Sequence, residues 1–240
     1  MTDDFSDQHY ELMLPWQLRA AVENRAVAYI PLGTFEWHCE HLPVGLDALT
    51  AHGLCLRAAK IDGGVVLPAL HYGTGGGHSN YPWTMILPDD TEITKQLSFT
   101  IAKLKSFGFK RVVLFSGHFP DTQLNMIDEL AAAKSDDTFK VLALAVNRIE
   151  GLAIAPDHAG LFETTLLFAM WPSLVQIERL PSLKDKPLHE KDVWEDGRHD
   201  PTHPIWGVVG ADPRHFKPSA AKTLLDASVT WIVQQVRNAS

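Results

Sequence analysis

The sequence predicts an α/β fold: a single domain over residues 1–240, built on a central, largely parallel β-sheet flanked by helices. Three observations predict it. Short apolar runs alternate with segments of helical periodicity, which is the pattern of βαβ units. The 240 residues are 45% hydrophobic and 21% charged, an ordinary globular composition long enough to bury one α/β core. Finally, the polar residues that bear chemistry follow the predicted strands, and open parallel sheets bind ligands at the carboxyl ends of their strands.

The elements follow in chain order. Ala26 to Gly33 ("AVAYIPLG") reads as a buried strand, and Leu46 to Lys60 has apolar residues at helical spacing. Val65 to Leu70 ("VVLPAL") is a second strand. Thr91 to Gly108 is a helix with Thr91 as N-cap and Gly108 as C-cap. Arg111 to Gly117 ("RVVLFSG") is the clearest buried strand, followed by a helix over residues 122–134 and a strand from Phe139 to Val146. Gly160 to Trp171 is a short helix stopped by Pro172, and residues 219–238 form a long C-terminal helix. The stretch from Pro172 to Pro218 is different, because it holds seven of the 15 prolines and four of the 12 histidines. It reads as an irregular excursion, a lid or a subunit contact, whose Trp194 and Trp206 need covering.

The formal charge of −8, with no Lys/Arg-rich run, argues against nucleic acid as a partner. No stretch reaches the roughly 18 apolar residues of a membrane span. The acidic opening "MTDDFSDQHYELMLPW" lacks the apolar core of a signal peptide. Cys39 and Cys55 are too few for a disulfide framework, so a cytoplasmic location is expected.

The densest chemistry lies between Pro31 and His52, where Glu36, His38, Glu40, His41, Asp47 and His52 stand among apolar residues, Gly and Pro. Residues two apart in an extended segment point the same way, so Glu36 and His38 can reach one metal or two adjacent ones. Asp47, at a helix start, can bridge, and imidazoles with carboxylates suit zinc or manganese. Taken alone, this pair also reads as surface decoration. His118 in "LFSGHFPD" sits at a strand end, as a functional or a capping histidine. Asp157, His158 and Glu163 cluster at a helix start, where a carboxylate on so apolar a face needs a partner or a metal. The Gly-rich run from His71 to Trp83 holds His78 as a substrate loop or an ordinary turn. It has neither Rossmann nor phosphate-loop spacing, which counts against a nucleotide-binding protein. There is no G-x-S-x-G elbow, and Cys39 reads as a packing residue.

Taken in order, "PLGTFEWHCEHLPVGLDALTA", "GTGGGHSNYPWTMIL", "FSGHFPD", "DHAGLFETTL" and "GVVGADP" resemble the creatininase (creatinine amidohydrolase) family, from about Pro31 to Pro213. The family pattern is P-x-G-S-x-E-x-H-G-x-H-L-P-x-x-T-D, G-x-S-x-E-H-x-x-x-P-G-T, N-G-H, H-A-G-x-x-E-T-S and G-V-x-G-D-P. The resemblance implies a creatininase-like α/β fold, a homo-oligomer with a hexamer favoured, and two divalent ions per chain, Zn2+ and/or Mn2+. It implies Glu36, Asp47 and His118 on one ion and His38, bridging Asp47 and Glu163 on the other, with Asp121 as the alternative to Glu163. It implies hydrolysis of a C–N bond in a small cyclic or linear amide by a dimetal-activated water, with His158 as proton donor to the leaving group and Asp157 setting its tautomer. His78, Trp37 and Trp83 are then the substrate-side residues, the two tryptophans as flat apolar walls. The alternatives are hydrolytic C–C ring opening of a carbocyclic ketone such as a dehydro-inositol and, from another class, a catalytically silent metal-binding or assembly protein. Departures from the pattern fall on Trp37 for Gln, Cys39 for Gly, Leu46 for Thr, Trp83 for Gly and Ser116 for Asn.

Overall fold

In a computed structural model, which describes residues 8–186 and 199–239, four strands form one parallel sheet: β1 (Val27–Leu32), β2 (Val65–Val66), β3 (Arg111–Ser116) and β4 (Lys140–Ala145), in the order β2-β1-β3-β4. Among the described residues six α-helices surround it: α1 (Pro15–Asn24), α2 (Leu46–Asp62), α3 (Thr91–Ser106), α4 (Asp121–Lys134), α5 (Leu161–Met170) and α6 (Pro218–Asn238). Period-2 alternation along the strands separates two cores. Val27 and Tyr29 of β1 and Val113 and Phe115 of β3 pack with α2, α5 and α6, whereas Ala28, Ile30, Leu32, Val112 and Leu114 pack with α3 and α4. The strand order reverses between β1 and β3, and a ligand site belongs at the carboxyl ends beside such a switch point.

Several boundaries differ from the sequence reading, each for a physical reason. β2 ends at Val66 rather than Leu70, because Pro68 has no N–H to give the ladder. Pro31 is tolerated in β1 for a related reason. The carbonyls of Tyr29 and Pro31 accept from Leu67 and Leu70, so the missing N–H of Pro31 faces the side on which β2 has already ended. The N-cap of α3 is Asp90, not Thr91, whose N–H is instead accepted by Asp89 Oδ1 at 2.9 Å. Gly108 follows the C-cap Phe107 with φ +99°, a left-handed conformation that suits glycine. α4 starts at Asp121, α6 at Pro218, and α1, absent from the sequence expectation, starts at Pro15. Among its described residues, the excursion contains three short 3-10 turns, at Pro172–Leu174, Ile177–Arg179 and Pro213–His215. Trp206 is half-buried against Trp37 and Tyr81 of its own chain, which corrects the expectation that it needs an outside cover. Trp194 lies outside the described residues. Cys39 and Cys55 are buried and unpaired, and no described helix is long and apolar enough to cross a membrane.

Candidate metal centre

The site is assembled where β1 and β3 end side by side. Beyond β1 the chain runs through an isolated bridge at Phe35 to Glu36 and His38, beyond β3 it turns at Gly117 into His118, and Asp47 enters from the first turn of α2. The close approach depends on two glycines. A Cβ at Gly33 would stand 2.1 Å from the amide nitrogen of Ala48, and one at Gly117 would stand 2.1 Å from the carbonyl oxygen of Asp47. Bare backbone at both strand ends therefore lets the helix start press against the sheet. Gly117→Ala should push α2 away from β3 and displace Asp47, so the purified variant is expected to lose bound metal, read by elemental analysis, while its far-ultraviolet circular dichroism stays close to wild type.

Two triads of potential ligands share Asp47. Glu36, Asp47 and His118 form one and His38, Asp47 and Glu163 the other, each with one ligand atom per residue inside a 4.8 Å sphere of mutual distance. His118 Nδ1 lies 3.1 Å from Glu36 Oε2 and 3.2 Å from Asp47 Oδ2. His38 Nε2 lies 3.0 Å from Asp47 Oδ1 and 3.6 Å from Glu163 Oε2. Despite these approaches, His38 Nε2 and Asp47 Oδ2 are inaccessible and have no hydrogen-bond partner. Buried polar atoms that converge without pairing are costly unless a cation takes their lone pairs, so the donor set fits a metal. The far nitrogens are already fixed. His38 Nδ1 is 2.9 Å from the carbonyl of Glu36 and His118 Nε2 is 3.2 Å from that of Gly75, which aims each remaining lone pair inward. Oxygen and imidazole ligands of this kind suit zinc or manganese.

Electrostatics follow from burial and mutual contact. Burial disfavours charge on His38, but Asp47, Glu163 and Glu36 outweigh it and push the imidazole up to about 10. His118 rises to about 10 against its own burial through Asp47 and Glu36. Burial opposes ionisation of Glu36 and Asp47 as well. His158, His118 and His78 nevertheless hold Glu36 well below the usual carboxylate range, and His38 and His118 bring Asp47 down to about 2. Glu163 goes the other way, well above that range, because burial and the charges of Asp47 and Asp157 exceed the help from His38. A divalent cation at either triad therefore competes with protons on His38, His118 and Glu163.

Asp157 and His158 stand apart from each other. The Asp157 carboxylate accepts from the amides of Phe162 (3.0 Å) and Glu163 (3.3 Å) and so closes the N-terminus of α5. Gly160 and Gly210 press on it, and burial lifts its pKa to about 7 against those N–H groups. This corrects the expectation that Asp157 sets the tautomer of His158. The His158 Nε2 is instead 3.1 Å from the carbonyl of Trp37. Burial lowers this imidazole to about 3, with His38 and His78 adding to the effect against Glu36. Ala159, between His158 and Gly160, has φ +53°, and its amide is accepted by Glu163 Oε2 at 2.6 Å. That bond holds Glu163 Oε2 over the turn, 3.6 Å from His38 Nε2.

An open cleft of about 520 Å³ meets these groups, lined by Glu36, Asp47, His78, His118, His158 and Glu163 together with bare stretches at Gly76, Gly77 and Gly117. The sequence reading did not foresee the tie of His78 Nδ1 to Glu36 Oε1 at 2.7 Å, because a 42-residue separation leaves no local signal. Trp37 and Trp83 are not among the lining residues, contrary to the flat walls expected of them. The indole N–H of Trp37 donates to the carbonyl of Trp206 at 3.0 Å, and Trp83 is 76% exposed. Asp121 is exposed at the start of α4 and belongs to neither triad. The left-handed, non-glycine residues Cys39 (φ +59°) and Trp83 (φ +61°) fall where the creatininase pattern has glycine, a strain of about 1 kcal/mol each.

A family model described as creatininase, creatinine amidohydrolase, matches residues 13–236. The chain is 29% identical to the creatinine amidohydrolase of Pseudomonas putida over 178 residues, 64% of this chain and 68% of that protein. It is 27% identical to a mycofactocin precursor peptide peptidase of Mycolicibacterium smegmatis over 67% of this chain and 64% of that one. It is 23% identical to a 3-dehydro-scyllo-inosose hydrolase of Thermotoga maritima over 93% and 68%. The chain thus spans about two thirds of the length of these relatives. A crystal structure of creatininase superposes with a TM-score of 0.72 at 27% identity, covering 95% of this chain and 96% of that one. One described as creatininase Mn superposes with 0.71 at 26%, covering 95% and 97%.

Proposed function

The chain belongs to the creatininase family, and from that membership we propose that it is a dinuclear metal-dependent hydrolase that opens a C–N bond of a small cyclic or linear amide. The observation that carries this reading is the pair of triads sharing Asp47. Glu36, Asp47 and His118 would hold one ion and His38, Asp47 and Glu163 the other, as zinc or manganese. Divalent ions supply Lewis acidity and make water a nucleophile near neutral pH. The chain's own groups do the rest. Asp47 offers one oxygen to each triad and fixes their separation. His158 is neutral by burial, so it would take a proton from the attacking water and return it to the departing nitrogen. Asp157 holds the N-terminus of α5, and thereby Glu163, in place.

The test is direct. Protein loaded with zinc or manganese should bind two equivalents by elemental analysis, more tightly as pH rises because His38, His118 and Glu163 must give up protons. It should hydrolyse members of an amide panel that includes creatinine and short peptides. Fewer than half an equivalent of any transition metal would remove the reading. Two equivalents with no turnover of any amide or cyclic polyhydroxy-ketone would favour a silent metal-binding protein. Turnover of the ketone alone would favour ring opening at a C–C bond, a reading supported by the 93% of this chain that aligns with the inosose hydrolase.

We further propose a cytoplasmic homo-oligomer, with a hexamer favoured. The support for assembly is the exposure of large apolar side chains, Trp16, Trp83, Phe99 and Phe107 among them. Light scattering at micromolar concentration should give a mass several times 26.7 kDa, and a monomeric mass would refute it.

A further inference from the structure

His78 is tied to the cluster without belonging to either triad. It is 3% exposed and lines the cleft, and its Nδ1 lies 2.7 Å from Glu36 Oε1. Its other nitrogen, Nε2, is inaccessible and has no hydrogen-bond partner. A carboxylate that ligates a cation is deprotonated and can only accept, so the hydrogen of this bond sits on His78 Nδ1. The lone pair of a neutral imidazole is then on Nε2. The ring is held in that sense, stacked on His158 at 4.4 Å and 27° and packed on Tyr81 at 4.6 Å. Turning it over would break the bond to Glu36. The two oxygens of Glu36 are also divided, with Oε1 on His78 and Oε2 facing His118. A buried acceptor without a donor is unfavourable. Beyond the metal cluster, the cleft presents mainly Gly76, Gly77, Gly117, Phe119, Pro120 and Val209, whose side chains have no donor to offer.

We propose that His78 links the metal centre to the substrate: its Nδ1–H holds Glu36 as a one-oxygen ligand while its Nε2 accepts an N–H of the substrate. The substrate class is thereby an amide that carries an N–H beside the scissile bond. The substrate half of this proposal rests on the hydrolase reading above, and the Glu36 half does not.

Two substitutions separate the halves. His78→Asn keeps a donor near the Nδ1 position and removes the acceptor at Nε2. His78→Gln places a polar atom near Nε2 and removes the donor to Glu36. With the zinc-loaded protein, His78→Asn should hold zinc within about twofold of wild type and raise KM roughly tenfold, with the loss falling on KM rather than kcat. His78→Gln should weaken zinc binding by roughly 10–100-fold, as loss of a ligand's outer partner does, with the smaller change in KM. KM is measured on the amide that wild type turns over best. Long-range ¹H–¹⁵N correlation on zinc-loaded protein labelled at histidine should show His78 protonated at Nδ1 and bare at Nε2. Protonation at Nε2 alone, or equal effects of the two variants on zinc and KM, would overturn the proposal. If no amide is turned over, the hydrolase reading fails and takes the substrate half with it, while the tautomer and the zinc comparison still decide the link to Glu36.

Discussion

Asp47→Ala is expected to strip the protein of metal and of activity in one step. Each of its oxygens faces a different triad, Oδ1 toward His38 at 3.0 Å and Oδ2 toward His118 at 3.2 Å. Among the described residues no neighbouring carboxylate can take its place, because Glu36 is divided between His78 and His118 and Glu163 Oε2 accepts from Ala159. Loss of an outer-shell partner already costs metal sites about 10–100-fold in affinity, and removal of a shared ligand should exceed that for both ions. The change also leaves two imidazoles facing each other with less negative charge between them, since Asp47 is among the groups raising both His38 and His118. Elemental analysis and turnover measured on the same sample provide the check. Asp121→Ala, exposed and outside the triads, should leave both unchanged. Retention of one full equivalent in Asp47→Ala would mean that the triads are independent and Asp47 does not bridge.

Much of this arrangement was legible in the sequence because its signals are local. The strands that end at Leu32 and Ser116 are apolar runs bounded by glycine, and the spacing of Glu36 and His38 marks a pair that can serve one site. The resemblance then supplied five candidate ligands, which the structure groups into two triads sharing Asp47. What stayed hidden depends on contacts distant in sequence. The Asp157 carboxylate looked like a partner for its neighbour His158, but the turn through Ala159 and Gly160 directs it onto the amides of α5. Trp37 looked like a pocket wall. Its indole is instead spent on Trp206, 169 residues away, where Gly207 allows a close approach. β2 was read too long because an apolar run says nothing about which strand face lacks a donor, and Pro68 settles that only once the ladder is seen.

His158→Ala is expected to lower kcat by about 10²–10⁴-fold while both metals stay bound. The imidazole lies at the meeting point of the site, 4.4 Å from the rings of both His38 and His78, and it lines the cleft. The carbonyl of Trp37 accepts from Nε2, which leaves Nδ1 as the atom that can exchange a proton within the cleft. Burial keeps the ring neutral, so it enters the reaction ready to take a proton, and the positive charge it then gains is stabilised by Glu36, the principal group opposing the burial effect. A group that gains a proton early and returns it to the leaving nitrogen affects the transition state more than the bound substrate, so the loss should fall on kcat rather than KM. The competing role is visible in the same geometry, because Glu36, His38 and His158 also offer ligand atoms within 4.8 Å of one another. Metal content separates the two roles. Retention of both equivalents with the kcat loss supports proton transfer, loss of metal reassigns His158 as a ligand, and unchanged turnover hands the proton to another group in the cleft, with His78 the nearest.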